Sequence, residues 1–240
     1  MELELLVITL RYSSWSMRPF LALAHAGADF RTTTVDLNLA KQTVVGGAMV
    51  AQQVDLGARR ALGSVTGLFP VLRVDGEPIH EALAICELVA ERFPEAGLWP
   101  DDSLVRARAR AVSAEMASGF PHLRNHLSCH PFARVPGFVP PPEAQRDIAR
   151  VFEIWEEALA RSGGPFLFGR FSVADCMYFP VITRFRTYGV ALPPSLEAYA
   201  QRVEALPAVA AWRELAVHAP RMPVYDEAIR ALGGDPDAAV

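Results

Sequence analysis

The sequence predicts an α/β domain over residues 1–92 and an all-helical domain over residues 103–240, joined by a linker at 93–102. Three observations carry this. Short apolar runs and one hairpin signal occupy the first part in the order β-α-β, then β-β-α. A stretch rich in breakers follows, Phe93-Pro94-Glu95-Ala96-Gly97-Leu98-Trp99-Pro100. Beyond it the apolar period is helical almost throughout. The β-α-β, β-β-α order is the thioredoxin-like layout.

Glu4-Leu5-Leu6-Val7-Ile8-Thr9-Leu10 is mostly apolar and fits a buried strand. Arg11-Tyr12-Ser13-Ser14-Trp15 reads as a loop, with a helix starting near Ser16 as N-cap and Pro19 in its first turn. Phe20, Leu21, Leu23 and Ala24 form its apolar face, and Gly27 stops it. Residues 30–37 are β-branched and weakly alternating, which predicts a second strand. Between 40 and 66, glycines at 46, 47 and 57 interrupt helix-compatible pieces, so a short, partly irregular helix is expected.

The stretch from Gly67 to Glu91 organises the first domain. Val71-Leu72-Arg73-Val74 reads as a strand, Asp75-Gly76 as a two-residue hairpin turn, and Pro78-Ile79-His80 as the return strand. Glu81 and Ala82 open a helix with Leu83, Ile85, Leu88 and Val89 on its apolar side. Pro70 stands at a strand entrance, where it has no N–H for a ladder. A cis Phe69-Pro70 bond is expected, turning the Phe69 backbone into a cleft.

In the second half, residues 103–127 predict one long helix bent at Gly119 and Pro121, and residues 130–142 a proline-rich loop. Residues 143–162 carry Ile148, Val151, Phe152, Trp155 and Leu159 on one helical face. Residues 171–187 predict a very apolar central helix, followed by helices at 195–205 and 208–217. Residues 233–240 read as a frayed end.

Half of the residues are hydrophobic (51%), enough to bury a sizeable core, and the net charge of −4 comes without the basic block that nucleic acid needs. The acidic start, Met1-Glu2-Leu3-Glu4, is unlike a secretory leader, and no apolar run approaches a membrane span. Cys86, Cys129 and Cys176 are far apart and odd in number. A reducing, cytoplasmic setting is expected, and neither a disulfide scaffold nor a dithiol redox enzyme.

Ser13 and Ser14 lie between the first strand and the first helix. Unpaired N–H groups and a partial positive charge at a helix start would stabilise a thiolate, and a serine hydroxyl could donate to its sulfur. Ordinary loop and cap roles are the competing reading. Ser172-Val173-Ala174-Asp175 has capping-box spacing and is expected to start the apolar helix, with Asp175 buried. His122, His126 and His130 follow at i, i+4 and i+8 beside Cys129, a spacing that could gather a metal. Pro121 and Pro131 interrupt a continuous helix, so solvated or hydrogen-bonded histidines and no metal are expected.

Together these features resemble the soluble glutathione S-transferase superfamily over residues 4–217. YSSWSMRPFLAL is similar to the serine-type motif at the first helix, closest to the zeta class and related bacterial members. GLFPVL resembles the cis-proline segment, and EALAICELVAERFPEAGLWP the helix that holds the γ-glutamyl end. GRFSVADCMYFPVITRF is similar to the capping box and central helix of the helical domain. The resemblance implies that Ser14, four residues before Arg18, activates the glutathione thiol, with Ser13 as second choice. It implies that Phe69, beside Pro70, pairs with the cysteinyl backbone, and that Glu81 and Ala82 hold the γ-glutamyl group. It further implies glutathione as co-substrate, no metal, a small hydrophobic electrophile, and a homodimer.

Two departures stand out. The family usually has serine where this chain has Ala82, so a hydroxyl bond to a carboxylate is lost. The lead-in Ser64-Val65-Thr66-Gly67-Leu68-Phe69-Pro70 also differs from the usual pattern. Conjugation of glutathione to an electrophile is the leading expectation. A maleylacetoacetate-type isomerase is the alternative suggested by Ser13-Ser14, although Trp15 stands where that class usually has cysteine. A non-catalytic binding protein with the same fold is the third, suggested by Ala82.

Overall fold

The computed structural model describes residues 1–35, 42–45, 48–51 and 56–239, the segments 42–45 and 48–51 by their backbone. The first sheet has four strands in the order β2-β1-β5-β6: β1 (Leu3–Val7), β2 (Arg31–Thr34), β5 (Val71–Val74) and β6 (Glu77–His80). β1 runs parallel to β2 and antiparallel to β5, with Leu5 opposite Thr32 on one side and Leu72 on the other. Asp75 and Gly76 both take positive φ (51° and 90°), the geometry that joins β5 to β6 without splaying them.

Between β2 and β5 lie the antiparallel pair β3 (Gln42–Val45) and β4 (Ala48–Ala51), then α2 (Leu56–Ala61). Where an irregular helix was expected at 40–66, the described residues form an antiparallel strand pair and six helical residues. The Val-rich pieces on either side of Gly46-Gly47 pair with one another, and the two glycines that argued against a helix separate the strands. The end of the strand expected at 30–37 passes outside the described residues.

α1 (Ser14–His25) begins two residues before the expected cap. Ser13 is the N-cap, and its Oγ accepts the Ser16 N–H at 3.2 Å. α3 (Ala82–Arg92) packs against α1, and α1 in turn meets the helical half. The segment expected as a linker holds a 3-10 turn at Pro94–Ala96 and is tied in on both sides. Trp99 Nε1 donates to Glu87, and Arg170 donates to the carbonyls of Gly97 and Trp99.

The long helix expected at 103–127 is divided into α4 (Ser103–Ser118) and α5 (Pro121–His126). Pro121 disfavours helical dihedrals in the residue before it, and Phe120 sits at φ 59°. The chain therefore breaks where a bend was expected. α6 (Pro142–Ser162), α7 (Val173–Tyr188), α8 (Pro194–Glu204) and α9 (Pro207–His218) follow close to expectation. α7 is buried along nearly its whole length, and Trp155 of α6 packs edge-on to Tyr178, Phe185 and Tyr199. One apolar core runs from Leu5 and Val7 of the sheet through Leu21 and Ile85 into Cys176 and Ile182 of α7.

A tenth helix, α10 (Pro223–Ala231), was not expected from the sequence. Nor is the segment after it frayed through residue 239. Asp235 pairs with Arg134 through the backbone, Asp237 pairs with Arg11 and Arg221, and the Ala239 N–H donates to the Phe132 carbonyl.

Candidate active site

A cavity of about 490 Å³ opens between the start of α1, the loop before β5 and the helical half. Ser13, Ser14 and Trp15 line one side, Thr66 to Phe69 another, and Arg124, Ser128 and Arg184 a third. Met222, just before α10, and Tyr225 of α10 also line it.

The two neighbouring serines are used differently. The Ser13 hydroxyl is occupied at the helix end, by the Ser16 N–H and by the Ser16 hydroxyl at 2.9 Å. Ser14 is the first residue of α1 and only 6% exposed, and among the described residues its Oγ has no protein partner. Its carbonyl is fixed by Arg18 Nη1 at 3.1 Å, one turn on. The Arg18 Nε meanwhile bonds the Met177 carbonyl of α7 at 3.1 Å, so one buried guanidinium joins the serine turn to the central helix. Burial pulls Arg18 down to about 9.

Phe69 reaches the same cavity, and the Phe69-Pro70 bond is cis, as expected. Pro70, Glu81 and Ala82 are not among the lining residues. Glu81 takes φ 78°, an uncommon backbone for a residue with a side chain, as it turns β6 into α3. Ala82, 1% exposed, then opens the helix, where backbone N–H groups lack helical partners. The structure therefore brings Ser13, Ser14 and Phe69 together on the cavity lining, which Glu81 and Ala82 do not join.

Electrostatically the cavity is one-sided. Arg59, Arg124 and Arg184 line it, and among the described residues no carboxylate does. Trp15 is sandwiched by cations, with Arg18 at 4.3 Å and Arg124 at 4.8 Å from its ring centroid. Arg124 bonds only backbone carbonyls, including Gly119 at 2.9 Å, and burial, then the charge of Arg184, brings it down to about 10. Arg184 is 5% exposed; its Nε donates to the Leu127 carbonyl at 2.6 Å and its Nη1 has no partner. A buried guanidinium nitrogen left unpaired is costly and is a place for an acceptor. Cys129 also lines the wall, but burial pushes its thiol up, away from the thiolate that nucleophilic chemistry needs.

These arginines were not identified as site residues from the sequence. The one available signal was Arg184 itself, a charge within the very apolar run Tyr178–Phe185. Tyr225 gave no signal at all, because its helix was not expected. It stacks on Tyr12 with centroids 4.6 Å apart. Asp226 of the same helix accepts from the Tyr12 hydroxyl at 2.9 Å and meets His130 Nε2 at 2.8 Å. His130 is fully buried there and separated in role from His122 and His126, so the three-histidine set is not assembled.

Family profiles described as the N-terminal and C-terminal domains of glutathione S-transferase match residues 12–92 and 142–215. The maleylacetoacetate isomerase of Rattus norvegicus is 32% identical over 183 residues, which span 76% of this chain and 78% of that protein. The probable maleylacetoacetate isomerase 1 of Drosophila melanogaster is 26% identical over 182 residues, 75% of this chain and 68% of the relative. Among solved structures, a glutathione transferase homolog from Burkholderia with bound glutathione superposes with a TM-score of 0.66 at 23% identity, covering 90% of this chain and 98% of its own. That likeness shows the shared fold.

Proposed function

The chain belongs to the glutathione S-transferase family, and from that premise we propose that it binds glutathione in the cavity and uses Ser14 to hold its thiolate for attack on an electrophilic carbon. The observation that carries this reading is Ser14, which lines the cavity at the start of α1 and whose hydroxyl has no protein partner among the described residues. A cysteine-like thiol with a pKa near 8.5 is only a few per cent ionised at pH 7. A hydroxyl donating to sulfur, the start of a helix and nearby guanidinium groups all favour the anion. In this reading Phe69 pairs with the cysteinyl backbone beside Pro70, and Glu81 and Ala82 receive the γ-glutamyl group at the start of α3. The chemistry needs no metal.

Transfer to a small hydrophobic electrophile, as in detoxification, is the leading form. The thiolate forms a C–S bond and the electrophile either releases a leaving group or takes up a proton. A second form, cis-trans isomerisation, is favoured by one observation: Arg124 and Arg184 line the cavity, and among the described residues Arg184 Nη1 is unpaired. An acidic substrate such as the one named for the relatives fits that charge. There the thiolate adds to a conjugated double bond, the resulting single bond rotates, and the thiolate leaves again, so glutathione is regenerated.

The experiment is Ser14→Ala beside Ser13→Ala. Ser14→Ala is expected to raise the pKa of the bound thiol and lower kcat at least tenfold, with glutathione affinity little changed. Ser13→Ala is expected to cost about 1 kcal/mol of helix-cap stability and less in kcat. An unmoved thiol pKa in Ser14→Ala overturns the assignment. Rates on maleylacetoacetate and on a chlorinated aromatic then separate the two forms.

The same reading takes residues 1–92 as the glutathione-binding domain and residues 103–240 as the domain that shapes the electrophile pocket. It places the protein in the cytoplasm, consistent with three buried free cysteines. It pairs two copies as a homodimer, with the partly apolar α4 as a candidate surface. No described helix is long and apolar enough to cross a membrane.

A further inference from the structure

We propose that His122, His126 and Glu143 form a binding site for one divalent first-row transition-metal ion, zinc above all, which staples α5 to the start of α6. The site stands apart from the chemistry proposed above and does not depend on it.

The two histidines lie at i and i+4 and so share one face of α5. Glu143 comes from the first turn of α6. One ligand atom from each residue lies within 4.8 Å of the others, and His126 Nε2 stands 3.4 Å from Glu143 Oε1. Tetrahedral zinc with bonds of 2.0–2.2 Å holds its ligand atoms about 3.4 Å apart. One edge of the coordination shell is therefore already formed, and small side-chain rotations bring in the third ligand. Two imidazoles and one carboxylate suit zinc, cobalt or nickel, whereas calcium and magnesium prefer oxygen alone. His122 is exposed, and His126 and Glu143 are partly so, which leaves the remaining positions to water and makes the ion exchangeable.

An ordinary surface pair between His126 and Glu143 would not require His122. α5 is six residues set off by the left-handed Phe120 and held from the inside by the buried Leu123 and by the Arg124 bond to the Gly119 carbonyl. Helices this short gain little from their own hydrogen bonds. Among the described residues, Asp147 of α6 accepts the Leu123 N–H of α5 at 2.9 Å, which ties one end of the turn. The metal would tie the other. The turn between them carries Arg124 and Asn125 into the cavity, so the ion would steady that wall from outside.

The test uses the full chain with no affinity tag. Zinc is titrated calorimetrically and cobalt is followed by its visible absorption. One equivalent of each is expected to bind at micromolar concentration and to raise the thermal midpoint. His122→Ala, His126→Ala and Glu143→Gln should each weaken binding at least tenfold and abolish that rise, while the metal-free midpoint stays near that of the parent. His122→Gln serves as a second variant should the alanine disturb α5. Binding that needs millimolar zinc, or that is indifferent to both substitutions at 122, overturns the proposal.

Discussion

Adjacent serines at 13 and 14 differ because a helix begins between them. Both line the cavity, but the Ser13 hydroxyl caps the helix end, while that of Ser14 has no partner among the described residues. At Ala82 the question is what a missing hydroxyl does. Its backbone N–H remains at the start of α3, but the side chain cannot bond a carboxylate. Ala82→Ser is therefore expected to tighten glutathione binding by at most about 1.5–3 kcal/mol, nearer the lower figure because water partly replaces the absent hydroxyl. Calorimetry on the two proteins reads this directly, and equal affinities would remove Ala82 from the γ-glutamyl contact. Arg184 teaches the complementary lesson. Its charge was visible in an apolar run, yet only the fold shows that its Nη1 is unpaired beside a cavity.

Among the elements, α7 is the most fully specified by local sequence. Ser172 and Asp175 make the expected capping box, and Asp175 also accepts the Leu167 N–H at 3.2 Å and the Tyr199 hydroxyl at 3.1 Å. Burial nevertheless pushes the Asp175 carboxyl up to about 6, outweighing those bonds. Since an unfolded aspartate titrates near 3.9, the native state holds the extra proton between about pH 4 and pH 6, and stability from this group falls as pH rises through that window. Asp175→Asn cannot titrate. The cost of the substitution should thus be larger near pH 4.5 than at pH 7.5, by roughly 2 kcal/mol. Urea unfolding of both proteins at the two pH values checks this, and a cost independent of pH would show that the carboxyl stays ionised throughout. α10 is the opposite case. Its hold on the protein comes largely from Asp226, which meets Tyr12 and His130 from distant parts of the chain and Arg221 close by. Burial raises the Asp226 carboxyl, but those three bonds outweigh it and hold it below its ordinary value.

At the scale of the whole molecule, the sheet and the helices share one core, and the cavity lies where the start of α1 meets the helical half. Arg18 spans that junction through the carbonyls of Ser14 and Met177. The proposed homodimer adds a second copy along α4, where Leu104 is 68% exposed. Light scattering at micromolar concentration is expected to give twice the chain mass. A monomer mass under those conditions would leave α4 without a partner.

By itself the sequence determined the β-α-β, β-β-α order, the Asp75-Gly76 turn, the capping box of α7 and the serine pair at a helix start. Each depends on neighbours within a few residues, where turn dihedrals, caps and apolar periods act. The split between α4 and α5 was half legible: Gly119 and Pro121 marked the place, but not that Phe120 would turn left-handed. The pairing of β3 and β4 was hidden because each run is only four residues long and the glycines between them were read as interruptions of a helix. Only the tertiary structure decided which serine keeps an open hydroxyl, that Arg124 and Arg184 converge on one wall, and that His130 joins Asp226 rather than His122 and His126. These depend on contacts between residues far apart in the chain, as in His130 and Asp226, 96 positions apart. Such contacts follow from packing of the whole chain, which no local pattern encodes.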